Sequence, residues 1–588
     1  MRASEIFTAL LFVTASAITA SADGNIELVS VSTLGPSAHG DSDEVAVSAD
    51  GRYVVFASEA ADLVAGDTNA ASDIFVRDMQ TGTTTRVSVS SSGVQGNASS
   101  ARPNVSADGT LIVFESDATN LGSSLDLNSF TDIYRHDRST GQTVRISKLA
   151  PPTETDGDST GSVISADGAV IGFRSEATNL ITGDTNSAAD VFVSDSTGIA
   201  RVSLSNTGAE GDSWSGQLFG IDLSGDGQVV LFASAATNLV AGDTNAWVDM
   251  FVRDRAAGTT ERVNLSTTGA EGNKSSRSGT ISADGNLVAY DSAATNLVPG
   301  DTNDHPDCFL FDRTTGSLLR ISVAEDGTQG TSYSRMPFIS ADGGVVCFES
   351  LAPEFAGDVI GTTANVLDTF HYVVASGALT RVSEGSSGPG NDSSFMGRPT
   401  ADGARVVMAS RATNFDPLDT NGAADTYLVI PGAGSGEGVS FCDSSDSIGC
   451  PCGNPGAAGE GCANGAGAGA RLEGSGNASA SASTLVLSAE QLIPSQPGLY
   501  FQGNNAVAGG QGVHFGDGLR CAGGGVIRLQ VRFAGTVGTS ATTINIATKG
   551  GVAAGDLKRY QLWYRDPATS TCGALFNLSN GVEITWGP

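Results

Sequence analysis

The phrase SADG recurs at Ser48, Ser106, Ser165, Ser282 and Ser340, with SGDG at Ser224 and TADG at Thr400. Successive copies lie 58 to 60 residues apart, so seven units share one period. A chain written in this way builds one supersecondary unit repeatedly and buries each copy's apolar surface against its neighbours. Within a unit four runs read as strands: one ending at SADG, one like YVVFAS, one like DIFVRD and one like TTRVSV. They are rich in Val, Ile, Phe and Thr and are punctuated by Asp-Gly, Thr-Gly and Asn-bearing turns. A four-stranded antiparallel meander repeated seven times describes an all-β, seven-bladed β-propeller.

The seventh unit stops after DTYLVI, from Asp425 to Ile430, and lacks a fourth strand, whereas IELVSVS, from Ile26 to Ser32, is a fourth strand with no unit before it. The N-terminal strand is therefore expected to close the last blade and leave no free sheet edge between the two ends of the ring. The pattern ISADG, then an apolar strand, then Asp, an aliphatic residue, Phe or Tyr, Val, any residue and Asp, resembles the TolB-type, WD-like propeller repeats of exported bacterial proteins. The resemblance covers roughly residues 26 to 431 and implies the fold of a domain at 23–431. It implies no activity, because propellers host enzymes, ligand binders and scaffolds alike. TolB itself differs in having an added N-terminal domain and fewer blades, so its partner is not carried over.

Seventy-six glycines and four lysines (Lys148, Lys274, Lys549 and Lys558) argue against long helices. A formal net charge of −33 repels phosphate backbones, which sets nucleic acid aside as a partner and favours cations. Residues 1–22 read as a cleaved secretory signal, with Arg2, an apolar stretch from Ile6 to about Ala20, and Ala20-Ser21-Ala22 before Asp23. No later segment reads as a membrane span, so the mature chain is expected to be secreted, or at the cell surface or in the periplasm of a bacterium.

In a meander, the loop between the second and third strands and the loop leading to the next blade leave on one face. Here these are the long loops, SEAADLVAGDTNAAS and SSGVQGNASSARP in the first unit, and loops presented by a rigid scaffold are where function usually sits. Asp67, Asn69 and Asp73 recur as Asp184, Asn186 and Asp190 and as Asp243, Asn245 and Asp249. They read either as Asx turns or as hard oxygen ligands for calcium at loop positions 1, 3 and 7. Ala71 and Ala188 stand at the fifth position, where a calcium loop wants an oxygen, and no closing Glu follows. A specific function is better sought in residues that break the repeat. The place of Ala71 is taken by Phe130, Ala188, Trp247, His305 and Ala423 in other units. Together with Trp214, in GAEGDSWSGQ, these rings either cover neighbouring loops or form a sparse surface for a protein, peptide or carbohydrate ligand.

Catalytic signals are thin. Gly157 to Gly161 matches G-x-S-x-G, but PPTETD precedes it and the strand SVISADG follows, so the strand, nucleophile and helix order is missing. The five histidines show no pair at metal-ligand spacing. A carboxylate pair for glycoside cleavage would need acids outside the repeat, and Asp304, Glu325 and Glu354 are among the few candidates. Cys308 and Cys347 replace Ile74 and Val55 of the first unit and read as buried apolar fillers.

A linker at 432–441 leads into a module at 442–588 that holds Cys442, Cys450, Cys452, Cys462, Cys521 and Cys572. Its β-like runs, STLVLSAEQL, LYFQGN, VIRLQVRF, TTINIAT, RYQLWYRDP and LFNLSNGVEITW, describe a disulfide-stapled β-sandwich. It resembles the glycine-rich terminal modules of large secreted bacterial proteins. Cys521 and Cys572 are expected to bridge two of its loops, and Trp563, Tyr564 and Trp586 belong either to its core or to a binding face. The whole chain reads as an exported, non-catalytic binding or surface scaffold protein working from the long-loop face. The alternatives are an extracellular hydrolase or lyase at the channel mouth, and a calcium-stabilised surface structural protein. Calcium is the one cofactor the residues suggest.

Overall fold

The computed structural model describes residues 26–586 apart from 33–36, 123–125, 150–152, 217–218, 325, 357–365, 386–387, 418, 432–438, 443–448, 452, 457–459, 476–477, 479–482, 484, 536–537, 554–555 and 568–572. The expected signal at 1–22, most of the expected linker, Glu325, Cys452 and Cys572 lie outside the described residues. The chain divides into two compact units, Met1–Val429 and Ile430–Pro588.

The described part of the first unit holds seven four-stranded antiparallel sheets and one two-stranded ribbon, Glu384–Gly385 with Gly388–Pro389. Blade one runs through Ser42–Val47, Tyr53–Ser58, Asp73–Asp78 and Thr83–Arg86, from the inside outwards. The next five follow the same plan. Blade seven takes three strands from Ser394–Pro399, Val406–Ser410 and Asp425–Val429 and its fourth from Ile26–Leu28, in a register that places Leu28 opposite Tyr427. The first strands contact one another in order, and Ser394–Pro399 returns to Ser42–Val47, so the ring is closed.

The recurring tetrapeptide couples the blades. Ser48 Oγ donates to Asp50 Oδ1 at 2.7 Å and accepts from the Tyr53 amide at 2.9 Å, which makes a self-contained turn. The Ala49 amide then donates to the Ala107 carbonyl of the next blade at 2.9 Å. Ala107 donates to Ala166, Ala166 to Gly225, Gly225 to Ala283 and Ala283 to Ala341; Asp342 makes the sixth bond, to Ala401, and Ala401 returns to Ala49 at 3.2 Å. Seven backbone hydrogen bonds thus circle the short-turn face. The glycine is fixed by the same approach: Gly109 has φ +73°, and a Cβ there would lie 2.1 Å from Tyr53 Cδ2 of the preceding blade.

Each blade lies between two others, so its middle strands are buried on both faces, as in Tyr53–Ser58 and Asp73–Asp78. Stacked pairs such as Phe56 with Phe75 and Phe232 with Phe251 span these two strands at 5.9 Å. Cys308 and Cys347 are buried free thiols in two of the inter-blade cores.

In the second unit, Val439–Phe441, Gly581–Thr585, Leu557–Arg565, Pro497–Gly503 and Ile527–Phe533 follow one another in one sheet, with Phe576–Leu578 also paired to Leu557–Arg565. Arg471–Ser475, Val486–Glu490 and Ser540–Ala541 form another. A single core including Leu472, Leu487, Tyr500, Leu562, Ile584 and Trp586 draws on both sheets, as a sandwich requires. Two expectations are corrected here. TTINIAT is not one strand: Asn545 accepts the Thr548 amide and caps a helix, Ile546–Gly550, which ends at Gly551 with φ 60°. Cys521 is bonded to Cys442, not to Cys572, because the pairing of the edge strand Val439–Phe441 with Gly581–Thr585 brings Cys442 within 5.9 Å of Cys521, Cα to Cα. Cys450 is bonded to Cys462.

Candidate functional site

In six blades the two long loops are bonded to each other, as the sequence topology demands of loops on one face. Asn69 Nδ2 donates to the Gly96 carbonyl, and Gln95 Nε2 donates to Asp67 Oδ1 at 2.8 Å. The acidic residues at their root already have a cation. Arg86, from the fourth strand, places Nη1 3.2 Å from Asp67 Oδ1 and 3.3 Å from Asp73 Oδ2. Arg262 does the same with Asp243 Oδ1 and Asp249 Oδ2, both at 3.1 Å, and adds Glu271 at 2.8 Å. Arg201 contacts Asp184, Asp190 and Glu210, the one group of three acids among the described residues whose ligand atoms lie close enough to share a metal. Arg145, Arg320 and Arg381 occupy the matching place in blades two, five and six. A guanidinium therefore stands where calcium was expected at Asp67, Asp73, Asp184, Asp190, Asp243 and Asp249. Burial still pushes Asp132 up to about 7 and Asp190, Asp243 and Asp307 up to about 6, against the pull of the arginine.

Asn69, Asn186 and Asn245 make Asx turns. Their Oδ1 atoms accept from the amides of Ala71, Ala188 and Trp247 at 3.1, 2.8 and 2.8 Å. Asn128 and Asn303 hold Phe130 and His305 in the same way, both at 3.0 Å. One rigid position thus presents alanine in three blades and Phe130, Trp247 or His305 in three others. Trp247 is 46% exposed and Phe130 37%, and His305 is exposed as well. Trp214 sits in the loop entering blade four and is half-buried.

The arginines were missed in the sequence. Their signal was there: Arg86, Arg145, Arg201, Arg262, Arg320 and Arg381 precede Val-Ser, Ile-Ser or Val-Asn in six units.

The catalytic candidates have structural duties. Ser159 is buried on a first strand, 2.9 Å from the Ser175 hydroxyl. Asp304 pairs with Lys274, and Glu354 accepts from Thr331 Oγ1 at 2.6 Å. His136 and His371 are buried, which holds both below the usual imidazole range. Six of the seven first strands are bulged, and acids present in only some units accept the bulge amides: Glu44 from Arg102, Glu115 from Gly161, Asp291 from Met336 and Glu349 from Met396, at 2.8 to 3.1 Å. Between these strands lies a cavity of about 60 Å³ whose lining includes Asn104, Asp222, Phe338 and Arg398. Burial pushes Asp222 up to about 6, with amide bonds from Ile281 and Leu223 opposing it.

In the second unit Tyr564 and Trp586 are core residues, each 1% exposed. Trp563, their neighbour on the opposite face, lines a groove of about 430 Å³ with Phe501, Phe515, Phe576, Arg520 and Arg528.

No family model matches the chain, and no curated protein matches it. Among solved structures, oligogalacturonate lyase in complex with manganese is similar at 14% identity and a TM-score of 0.42, over 70% of this chain and 95% of that one. TolB from Acinetobacter baumannii is similar at 17% identity and a TM-score of 0.31, over 52% and 58% of the two chains. Pyrococcus horikoshii acylaminoacyl peptidase is similar at 10% identity and a TM-score of 0.40, over 77% and 58%.

Proposed function

We propose that the protein is an exported, non-catalytic binding or surface scaffold protein whose ligand contacts lie on the long-loop face of the propeller. The observation that supports this reading most is the position after each Asx turn. There the backbone is locked by hydrogen bonds and an arginine beneath it, while the side chain varies and, as Trp247 and Phe130, leaves apolar rings exposed. Rigid exposed aromatics lose little conformational entropy on binding and supply contact area to a peptide, protein or carbohydrate. The axial cavity, at about 60 Å³, is well below the roughly 300 Å³ at which small-molecule sites begin, and the acids beside it are engaged by backbone amides. Both features weigh against a hydrolase or lyase at the channel mouth. Export is supported by the signal-like segment at 1–22 and by two disulfides, which persist in oxidising compartments. Among the described residues no helix is long and apolar enough to cross a membrane.

The test is binding of the full mature chain to glycan and peptide arrays, repeated with Phe130→Ala, Trp247→Ala and His305→Ala combined. Loss of the wild-type ligands by about 30-fold or more in affinity is expected, the scale of a removed aromatic hot spot. Unchanged binding by the triple variant would move the site elsewhere, with Trp563→Ala reporting on the groove of the second unit. Turnover of a bound polysaccharide or peptide that disappears in Asp222→Asn would establish the enzyme reading instead.

A further inference from the structure

Blade seven keeps both acids of the repeated network and lacks its arginine. Leu28 faces Tyr427 across the sheet as Arg86 faces Phe75 in blade one, so the N-terminal strand puts a leucine where six other blades put a guanidinium. The surrounding contacts are retained. Ser30 Oγ donates to Asp425 Oδ1 at 2.5 Å, as Ser88 does to Asp73 Oδ1, and Asn421 Nδ2 donates to Asp425 Oδ2 at 3.1 Å, as Asn69 does to Asp73 Oδ2. Asp419 Oδ2 accepts from Tyr427 Oη at 2.7 Å. What is missing is the single nitrogen that joins Oδ1 of the first acid to Oδ2 of the second in blades one, two, four and five. The corresponding atom, Asp419 Oδ1, is buried without a hydrogen-bond partner, on a residue only 4% exposed. Among the described residues, the groups that act most on Asp419 and Asp425 are hydrogen-bond donors and other acids, with no Arg, Lys or His among them. A further acid, Asp416, is buried three residues upstream, where blade one has Val64.

We propose that a calcium ion occupies this place, bridging Asp419 Oδ1 and Asp425 Oδ2 as the arginine nitrogen does elsewhere in the ring. Two buried carboxylates without a cation are costly to hold together, and a metal supplies the charge at the point where the repeat omits it. The donors are all hard oxygens, and calcium accepts an irregular shell completed by water more readily than magnesium does. With so few carboxylates, the site belongs to the weak class found in extracellular modules, with Kd near 10⁻⁴ to 10⁻³ M. Because Leu28 ends the strand that closes the ring and Ser30 follows it directly, the ion would fasten the closure itself. This inference is independent of what the long loops bind.

The test uses the full mature chain, stripped with a chelator and then titrated with calcium chloride, with magnesium as control. Hydrogen exchange is read on peptides covering residues 26–32 and 425–429. With calcium at ten times its Kd, opening of the closing strand should become about tenfold rarer. Asp419→Asn should abolish the response. Leu28→Arg should also abolish it while keeping the strand protected without metal, since it restores the guanidinium of the other blades. A wild-type chain whose closing strand ignores calcium overturns the proposal. So does a calcium response that survives undiminished in both variants.

Discussion

Replacing Arg262 by Met tests whether the buried network under the long loops holds them in place. The substitution keeps a long apolar stem and removes the cation. In blade four, Nη1 of Arg262 lies 3.1 Å from Asp243, 3.1 Å from Asp249 and 2.8 Å from Glu271. The two aspartate side chains are 3% and 1% exposed, so the variant leaves two acids out of water with no counter-charge. Breaking a buried pair in this way costs about 3–5 kcal/mol, or roughly two to four decades in a local opening equilibrium. Hydrogen exchange followed by mass spectrometry reads that equilibrium strand by strand. Peptides over Asp249–Asp254 should exchange faster by that factor, while those over Asp73–Asp78, whose own Arg86 is intact, serve as the internal control. The double variant Arg262→Met, Asp243→Asn should recover part of the loss, because one of the stranded charges is gone. An acceleration of less than tenfold at blade four, with no recovery in the double variant, would refute the reasoning and reduce the network to the weak class of surface ion pairs.

Two further outcomes follow from the same contacts. Asp132 has a folded-state pKa of about 7 against an ordinary 3.8, so between those values the folded chain holds a proton that the unfolded chain has released. Its contribution to stability is greatest below about pH 4 and falls as pH rises to about 7. Asp132→Asn, which mimics the protonated form, should therefore gain on wild type between pH 5 and 8 in thermal melts, and a difference independent of pH would contradict this. Gly109→Ala meets both a left-handed backbone and the Tyr53 ring at 2.1 Å, so it should lower the melting temperature well beyond the loss of about 1 kcal/mol expected from the backbone conformation alone. Melting within a degree of wild type would show that the neighbouring blade yields freely.

The ring of sheets was legible because its determinants are periodic: strands, turns and the displaced first strand all repeat or complete a repeat. What SADG does was not legible. A turn of Ser, Ala, Asp and Gly explains itself locally, and nothing in its spacing says that Ala49 donates to Ala107 or that Gly109 must lie against Tyr53. The acids of the GDTN loops were visible, but their partner lies at Arg86, in another strand, and only folding brings Arg86 and Asp67 within 3.2 Å. In the second unit no repeat exists to align, so disulfide pairing had no sequence signal. Strand alternation shows which side of the sheet Trp563 and Tyr564 occupy, but identifying the buried side required the second sheet.

The repeat makes the chain its own control. Residues that recur in most units, such as the serines, asparagines and acids beneath the loops, are occupied by one another and, in six blades, by the arginines, so their abundance reflects the assembly of blades and not a string of identical sites. Function is then sought where the pattern departs. It does so outwardly at Phe130, Trp247 and His305, where a fixed backbone position changes its side chain. It does so inwardly at Leu28, where an otherwise complete network loses its positive charge at the seam of the ring. The first departure changes what the surface offers to a ligand. The second leaves Asp419 and Asp425 buried without the guanidinium of the other blades, and with the calcium proposed above it would tie closure of the ring to the medium around it.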